Sequence, residues 1–267
     1  MNHLSKCSVF IEMYLSEYAE KPGGIGTAFI VKTKNEHYFL ITNWHCATGI
    51  NPDTNEPLSD NGVIHPEFMD VHLFKKGSLN EWNVKRIPLL DENGNKKYIE
   101  HPRGQEIDII AIRIDNYPDV DLYNLWEANI VDNIDVDITD NCSIVGFPKG
   151  ISTGGKFPIF KTGHVASEFE IDHDNKPMFL IDASTREGMS GSPVYCIRNK
   201  FASVGGALMG GTSSIARFLG VYAGRVGDDI EIGRVFKAHC VEEVIINYYK
   251  LINPYRFFGS PINYRIR

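Results

Sequence analysis

Apolar and polar positions alternate in short runs along most of this chain, the pattern of half-buried β-strands. Val9, Ile11, Met13 and Leu15 alternate with Phe10, Glu12 and Tyr14, which predicts a strand over residues 8–15. After a polar turn at 17–24, apolar runs at 27–31 and 37–42 read as a hairpin across the polar segment 32–36. A short helical turn at 44–48 is stopped by Gly49, and 51–69 is loop-rich, with Pro52, Pro57, Gly62 and Pro66. Short strands are predicted at 70–74 and 82–87, and an apolar, β-branched one at 107–114. After an acidic stretch at 120–140, a second set follows at 143–147, 157–169, 178–182, 192–197, 201–208 and 218–222. Helical spacing of Val235, Phe236, Cys240, Val241, Val244, Ile245 and Tyr248 predicts one long helix over 234–250.

Many short strands, no strand–helix–strand alternation and a single terminal helix point to an all-β fold of antiparallel sheets or barrels. The strands fall into two sets that meet near residues 116–140. The length of 267 residues suits one large all-β unit or two small ones.

Composition narrows the function more than the fold. Hydrophobic residues make up 43% and charged residues 23%, enough apolar material for a sizeable core. A formal net charge of -7 argues against nucleic acid as a partner. No apolar run approaches the roughly 18 residues of a membrane span. The N-terminus lacks the charged-then-apolar layout of a secretory leader, so a cytoplasmic location is expected, the alternative being a mature form whose leader has been removed. Five cysteines, none at Cys-x-x-Cys spacing, suggest neither a disulfide scaffold nor a structural metal site.

The candidate chemistry starts at Gly188-Met189-Ser190-Gly191-Ser192-Pro193, a serine in a glycine-flanked turn ahead of an apolar run. A serine hydroxyl becomes a useful nucleophile when a base takes its proton and backbone N–H groups stabilise the oxyanion. His45 lies where the apolar strand at 37–42 ends, a rigid mount for such a base. Asp108 heads the β-branched run, where a carboxylate is costly unless it holds a partner such as an imidazole N–H. The order His45, Asp108, Ser190 is one of three orders used by unrelated serine-hydrolase lineages, that of the chymotrypsin type. Ser190 followed by Asp228 or Asp229 and then His239 would suit an α/β-hydrolase order, but Ser192 stands where that motif needs glycine and parallel βαβ units are missing.

Thr42-Asn43-Trp44-His45-Cys46, Asp108-Ile109-Ile110-Ala111-Ile112 and Gly188-Met189-Ser190-Gly191-Ser192-Pro193 occur in this order. Together with 218–224 and the terminal helix they make the chain resemble a chymotrypsin-fold, trypsin-like serine protease. The resemblance implies two six-stranded antiparallel β-barrels with a C-terminal α-helix. Residues 1–120 would form the barrel carrying His45 and Asp108, 121–250 the barrel and helix carrying Ser190, and 251–267 a tail, together one peptidase unit. It also implies an oxyanion hole from the N–H groups of Gly188 and Ser190. The substrate pocket would comprise Ser184 at its floor, Thr185, Glu187, Tyr222, Ala223, Gly224 and Arg225. Arg186 or Arg225 would favour an acidic substrate residue if free to reach it.

Several departures qualify the resemblance. Met189 replaces the family's aspartate before the serine and there is no Ile-Val-Gly-Gly start, so activation by N-terminal cleavage is not expected. This is closer to bacterial and viral members than to digestive ones. Ala223 stands where the family has a serine that supports the triad aspartate. Cys142 and Cys196 fall where the family has a disulfide, so their sulfurs are expected near each other.

The expected function is a serine endopeptidase acting through an acyl-enzyme, narrow in specificity or controlled by a protein partner. Protein or peptide substrates are expected, with no cofactor, metal, nucleic acid or membrane. The alternative is a catalytically silent relative that binds a peptide or protein in the same cleft. The tail at 251–267, with its aromatic residues and arginines, is either a packing strap or a docking segment.

Overall fold

Ala28 and Ile30 face one way from their strand and Phe29 and Val31 the other, yet all four are buried. Such a strand, covered on both faces, reads in sequence as a continuous apolar run rather than an alternation. The computed structural model of the protein describes residues 2–59, 65–199, 201–210, 214–227 and 229–253. The tail beyond 253 lies outside the described residues.

After a one-turn helix α1 (His3–Cys7), the first half carries β1 (Ser8–Tyr14), β2 (Gly24–Lys32) and β3 (Tyr38–Thr42). The short helix α2 (Trp44–Thr48) follows, then β4 (Phe68–Lys75), β5 (Trp82–Pro88), β6 (Ile99–Glu100), β7 (Ile110–Ile114) and β8 (Val120–Asp121). They form one antiparallel sheet in the order β5-β4-β1-β2-β3-β7-β6, with β8 added to β4. The second half carries β9 (Asn141–Gly146), β10 (Ile159–Val165), β11 (Met178–Asp182), β12 (Pro193–Arg198), β13 (Phe201–Val204), β14 (Ala207–Gly210), β15 (Ile215–Gly227) and β16 (Ile230–Lys237), then helix α3 (His239–Ile252). Six of these strands close a barrel in the order β10-β11-β16-β15-β12-β9.

The all-β, two-part architecture with a C-terminal helix is therefore the one expected, with three corrections of detail. The first sheet is an open curl of eight strands rather than a closed six-stranded barrel. Its last strand, β6, has only two residues, and α3 covers it: Asn247 Nδ2 donates to the Glu100 carbonyl at 3.0 Å. The helix predicted at 234–250 begins only at His239. Residues 234–237 belong to β16, which the barrel needs for closure: Val235 pairs with both Phe179 and Tyr222. A strand feeding straight into a helix with the same buried side mimicked a longer helical period. Finally, the segment 201–208 is not one strand but part of a hairpin. Gly205 and Gly206, both at positive φ (58° and 78°), make its two-residue turn. That hairpin docks on the chain between the halves, where Gly206 N–H donates to Asp135 Oδ2 at 2.9 Å.

Three apolar clusters follow. Val9, Ile11, Ile30, Leu40 and Ile112 fill the first half. Ile144, Phe179, Val194, Leu219 and Val235 fill the barrel. The third lies between them, joining Phe29, Phe39 and Ile41 to Phe218, Phe236 and the α3 face of Val241, Ile245 and Tyr249. The helix thus packs across both halves, and Tyr249 OH is within 2.9 Å of Thr33 Oγ1 and 3.0 Å of His37 Nδ1. This shared core fixes the cleft in which the candidate site sits.

Candidate active site

His45 and Asp108 meet because β3 and β7 are antiparallel neighbours with Thr42 opposite Ile110. The residues leaving β3 and those entering β7 therefore emerge side by side. Asp108 is in the loop just before β7 rather than within the strand expected at 107–114. Its side chain is almost fully buried, and both carboxylate oxygens are used. The His45 backbone N–H donates to Oδ1 at 2.9 Å, and His45 Nδ1 lies 2.6 Å from Oδ2. Asn43 Nδ2 donates to the Asp108 carbonyl at 2.6 Å and so fixes the loop from behind. Burial pushes the imidazole toward its neutral form, but the Asp108 charge and hydrogen bond outweigh this, with Cys46 acting in the same direction. His45 therefore keeps its proton well above the usual histidine range. Ala223 offers Asp108 no hydroxyl, so the described partners of the carboxylate are the His45 amide and imidazole.

The Ser190 turn is held differently. Met189 N–H donates to Arg186 O at 3.2 Å and Ser192 N–H to Met189 O at 3.0 Å, winding the chain tightly. Gly188 and Gly191 have φ of 86° and 82°, which glycine adopts without strain. They also leave no room for a side chain: a Cβ on Gly188 would lie 2.3 Å from Phe147 O, and one on Gly191 2.1 Å from Thr27 O. Met189, in place of a charged residue, is completely buried among the barrel's apolar side chains. Thr27 of β2, from the opposite half, clamps the turn. Its N–H donates to Ser190 O at 2.9 Å and its hydroxyl to Gly188 O at 2.8 Å, while accepting from Phe147 N–H at 3.2 Å. Among the described residues, no protein acceptor takes the N–H of Gly188 or of Ser190.

His45, Gly188 and Ser190 line one cavity of about 440 Å³ between the halves, with Glu187 on the same wall. No hydrogen bond joins the Ser190 hydroxyl to His45 among the described residues, a contact that is often long without substrate and tightens with it. The other expected pocket residues lie elsewhere than in this cavity. Thr185 and Tyr222 are buried and joined by a hydrogen bond between Thr185 Oγ1 and the phenol hydroxyl. Ala223 is buried beside Asp108. Ser184 is exposed, and nearby Glu231 pairs with Arg186 at 3.0 Å. Gly224 and Arg225 are half-buried. Cys142 and Cys196 stand across from one another, continuing the Val194–Ile144 and Tyr195–Ser143 pairing, as buried free thiols.

Sequence reasoning missed Thr27 and Asn43 as parts of the site. The available signal was a polar residue inside an apolar strand in one case and at a strand-to-helix junction in the other. Among the described residues, His239, Cys240 and Glu243 bring potential ligand atoms within 4.8 Å of one another. Two of the three are engaged elsewhere. Burial pushes the Cys240 thiol up to about 12, keeping it protonated, and Glu243 bonds His101 Nε2 at 2.7 Å.

Residues 26–202 match the model of the trypsin-like peptidase domain family, and the chain belongs to that family. It is accordingly a hydrolase of the serine protease class, acting on proteins or peptides. Among solved structures it is similar to the active form of the Rv3671c protease from M. tuberculosis. The TM-score is 0.50 at 15% identity, covering 91% of this chain and 81% of that one. It is also similar to a serine endoprotease from Yersinia pestis, with a TM-score of 0.48 at 13% identity, covering 91% of this chain and 62% of that one. Such low identities support the fold alone, in the first case. No curated protein sequence matches significantly.

Proposed function

We propose that the protein is an endopeptidase in which Ser190 is the nucleophile, His45 the base and Asp108 the group that orients it. The observation that carries this reading is the buried Asp108 carboxylate bonded to His45 Nδ1, with His45 and Ser190 on one cavity. Ser190 Oγ attacks the peptide carbonyl carbon as His45 Nε2 takes the hydroxyl proton. The oxyanion accepts hydrogen bonds from the N–H groups of Gly188 and Ser190. The tetrahedral adduct collapses, the C–N bond breaks and the leaving amine takes the proton from His45. Water, deprotonated by His45, then attacks the acyl carbon; the bond to Ser190 Oγ breaks, Oγ takes the proton back from His45 and the acid is released. Asp108 keeps the proton on Nδ1 and stabilises the imidazolium.

Activity on this reading does not await a newly cut N-terminus. The apolar burial of Met189 and the Thr27 clamp support a turn that is already set. A fluorophosphonate probe tests both points. The full chain with an N-terminal extension should be labelled, and Ser190→Ala should abolish labelling, as should His45→Ala within the same time. Absence of labelling in the wild type would instead support a silent, peptide-binding relative.

A further inference from the structure

The space on the two sides of Ser190 is unequal. On the His45 side the cavity of about 440 Å³ has walls of Met13, Leu15, Ile25, Cys46, Leu58 and Pro66. That volume lies within the roughly 300–1,000 Å³ of small-molecule sites, ample for a large side chain. On the far side, Thr185 is 0% exposed, Tyr222 2% and Ala223 4%. The Tyr222 phenol is tied to Thr185, and its ring lies so close over Gly233 that a Cβ there would come within 2.7 Å of it.

Chemistry says which side is which. His45 must hand its proton to the departing amine, so the segment that leaves lies on the histidine side. The acyl segment, held at the Gly188 and Ser190 N–H groups, runs along the second half, where Tyr222 and Thr185 present sealed side chains. The open apolar room therefore belongs to the residue that follows the scissile bond.

We infer that this protease selects its cleavage site chiefly by a large apolar side chain, of the leucine, methionine or phenylalanine kind, immediately after the scissile bond. This rests on the serine-protease reading of the same site. Removing such a side chain from water against these apolar walls is worth on the order of 10- to 100-fold over alanine in kcat/KM. Among the described residues lining the cavity there is no lysine, arginine or side-chain amide, and Glu187 on the same wall disfavours an acidic side chain there.

Internally quenched peptide libraries varied at the positions before and after the cut test this. The expected result is a 10- to 100-fold preference for leucine, methionine or phenylalanine after the bond, and a smaller spread before it. Leu58 is 53% exposed at the rim. Leu58→Asp should move the preference after the bond toward lysine and arginine, a gain that misfolding does not produce. Fluorophosphonate labelling of wild-type Ser190 is read in parallel, because it does not involve the leaving segment of a peptide. Labelling together with cleavage governed by the residue before the bond, or indifferent to the one after it, overturns the inference and leaves the protease reading intact. No labelling and no cleavage overturns both.

Discussion

The two halves hold their parts of the site by different physics. In the first, His45 and Asp108 come from neighbouring strand ends and are joined by two hydrogen bonds to one buried carboxylate. The orientation of the base is settled within its own sheet. In the second, the Ser190 turn has no comparable charged anchor. Glycines let it wind, Met189 sinks into the barrel core, and Thr27 from the other half grips its carbonyls. The base is thus positioned by electrostatics inside one half, and the nucleophile by packing and by a clamp across the cleft. Perturbing the first should change chemistry with little loss of stability, and perturbing the second should change both.

The largest effect expected is that of Asp108→Asn, which should lower kcat on the order of 10⁴-fold. The sign of its pH effect follows from the causes at His45. The base works only when neutral, and the Asp108 charge now holds its proton on above the ordinary value of about 6.5. The rising limb of kcat/KM in the wild type should therefore lie above pH 6.5. Once the charge is removed, burial is left to dominate, and the limb should move to lower pH. A limb that stays in place in the variant would show that Asp108 is not the source of the shift. Next comes Met189→Ala. Emptying a fully buried site should cost about 2–5 kcal/mol in urea unfolding and reduce fluorophosphonate labelling in parallel. If labelling falls with stability unchanged, the apolar anchor does not hold the turn. Smallest is Thr27→Val, which leaves the Phe147 N–H and the Gly188 carbonyl without their buried partner and should cost about 1–3 kcal/mol. Here kcat should fall more than KM rises, since the clamp sets the oxyanion donors rather than a substrate contact. A change in KM alone would sever the link between clamp and turn.

Local chemistry made much of this legible. Strand periodicity identified the two sets of strands, because half-buried strands alternate with period two whatever packs above them. Gly188 and Gly191 stood out as glycines on either side of a serine, and their close contacts with Phe147 and Thr27 explain why no other residue fits. The reading went wrong where one element runs into another. Phe236 lies at helical spacing from Cys240 and Val244, but it pairs in the barrel through β16 whereas they belong to the helix face. Spacing along a chain cannot distinguish one continuous buried face from two consecutive ones.

By itself, then, the amino-acid sequence determined the strand content, the tight turn at Ser190 and the residue types for nucleophile, base and carboxylate. These depend on local backbone preferences and side-chain chemistry. Tertiary structure alone decided that the first sheet stays open, that Thr27 grips the turn from across the cleft, and that a cavity opens beside His45 while Thr185 and Tyr222 are buried. Each of these depends on residues more than a hundred positions apart packing together, as Thr27 does with Gly188. Which of two sealed or open walls faces a nucleophile is settled only when both halves have folded around one core.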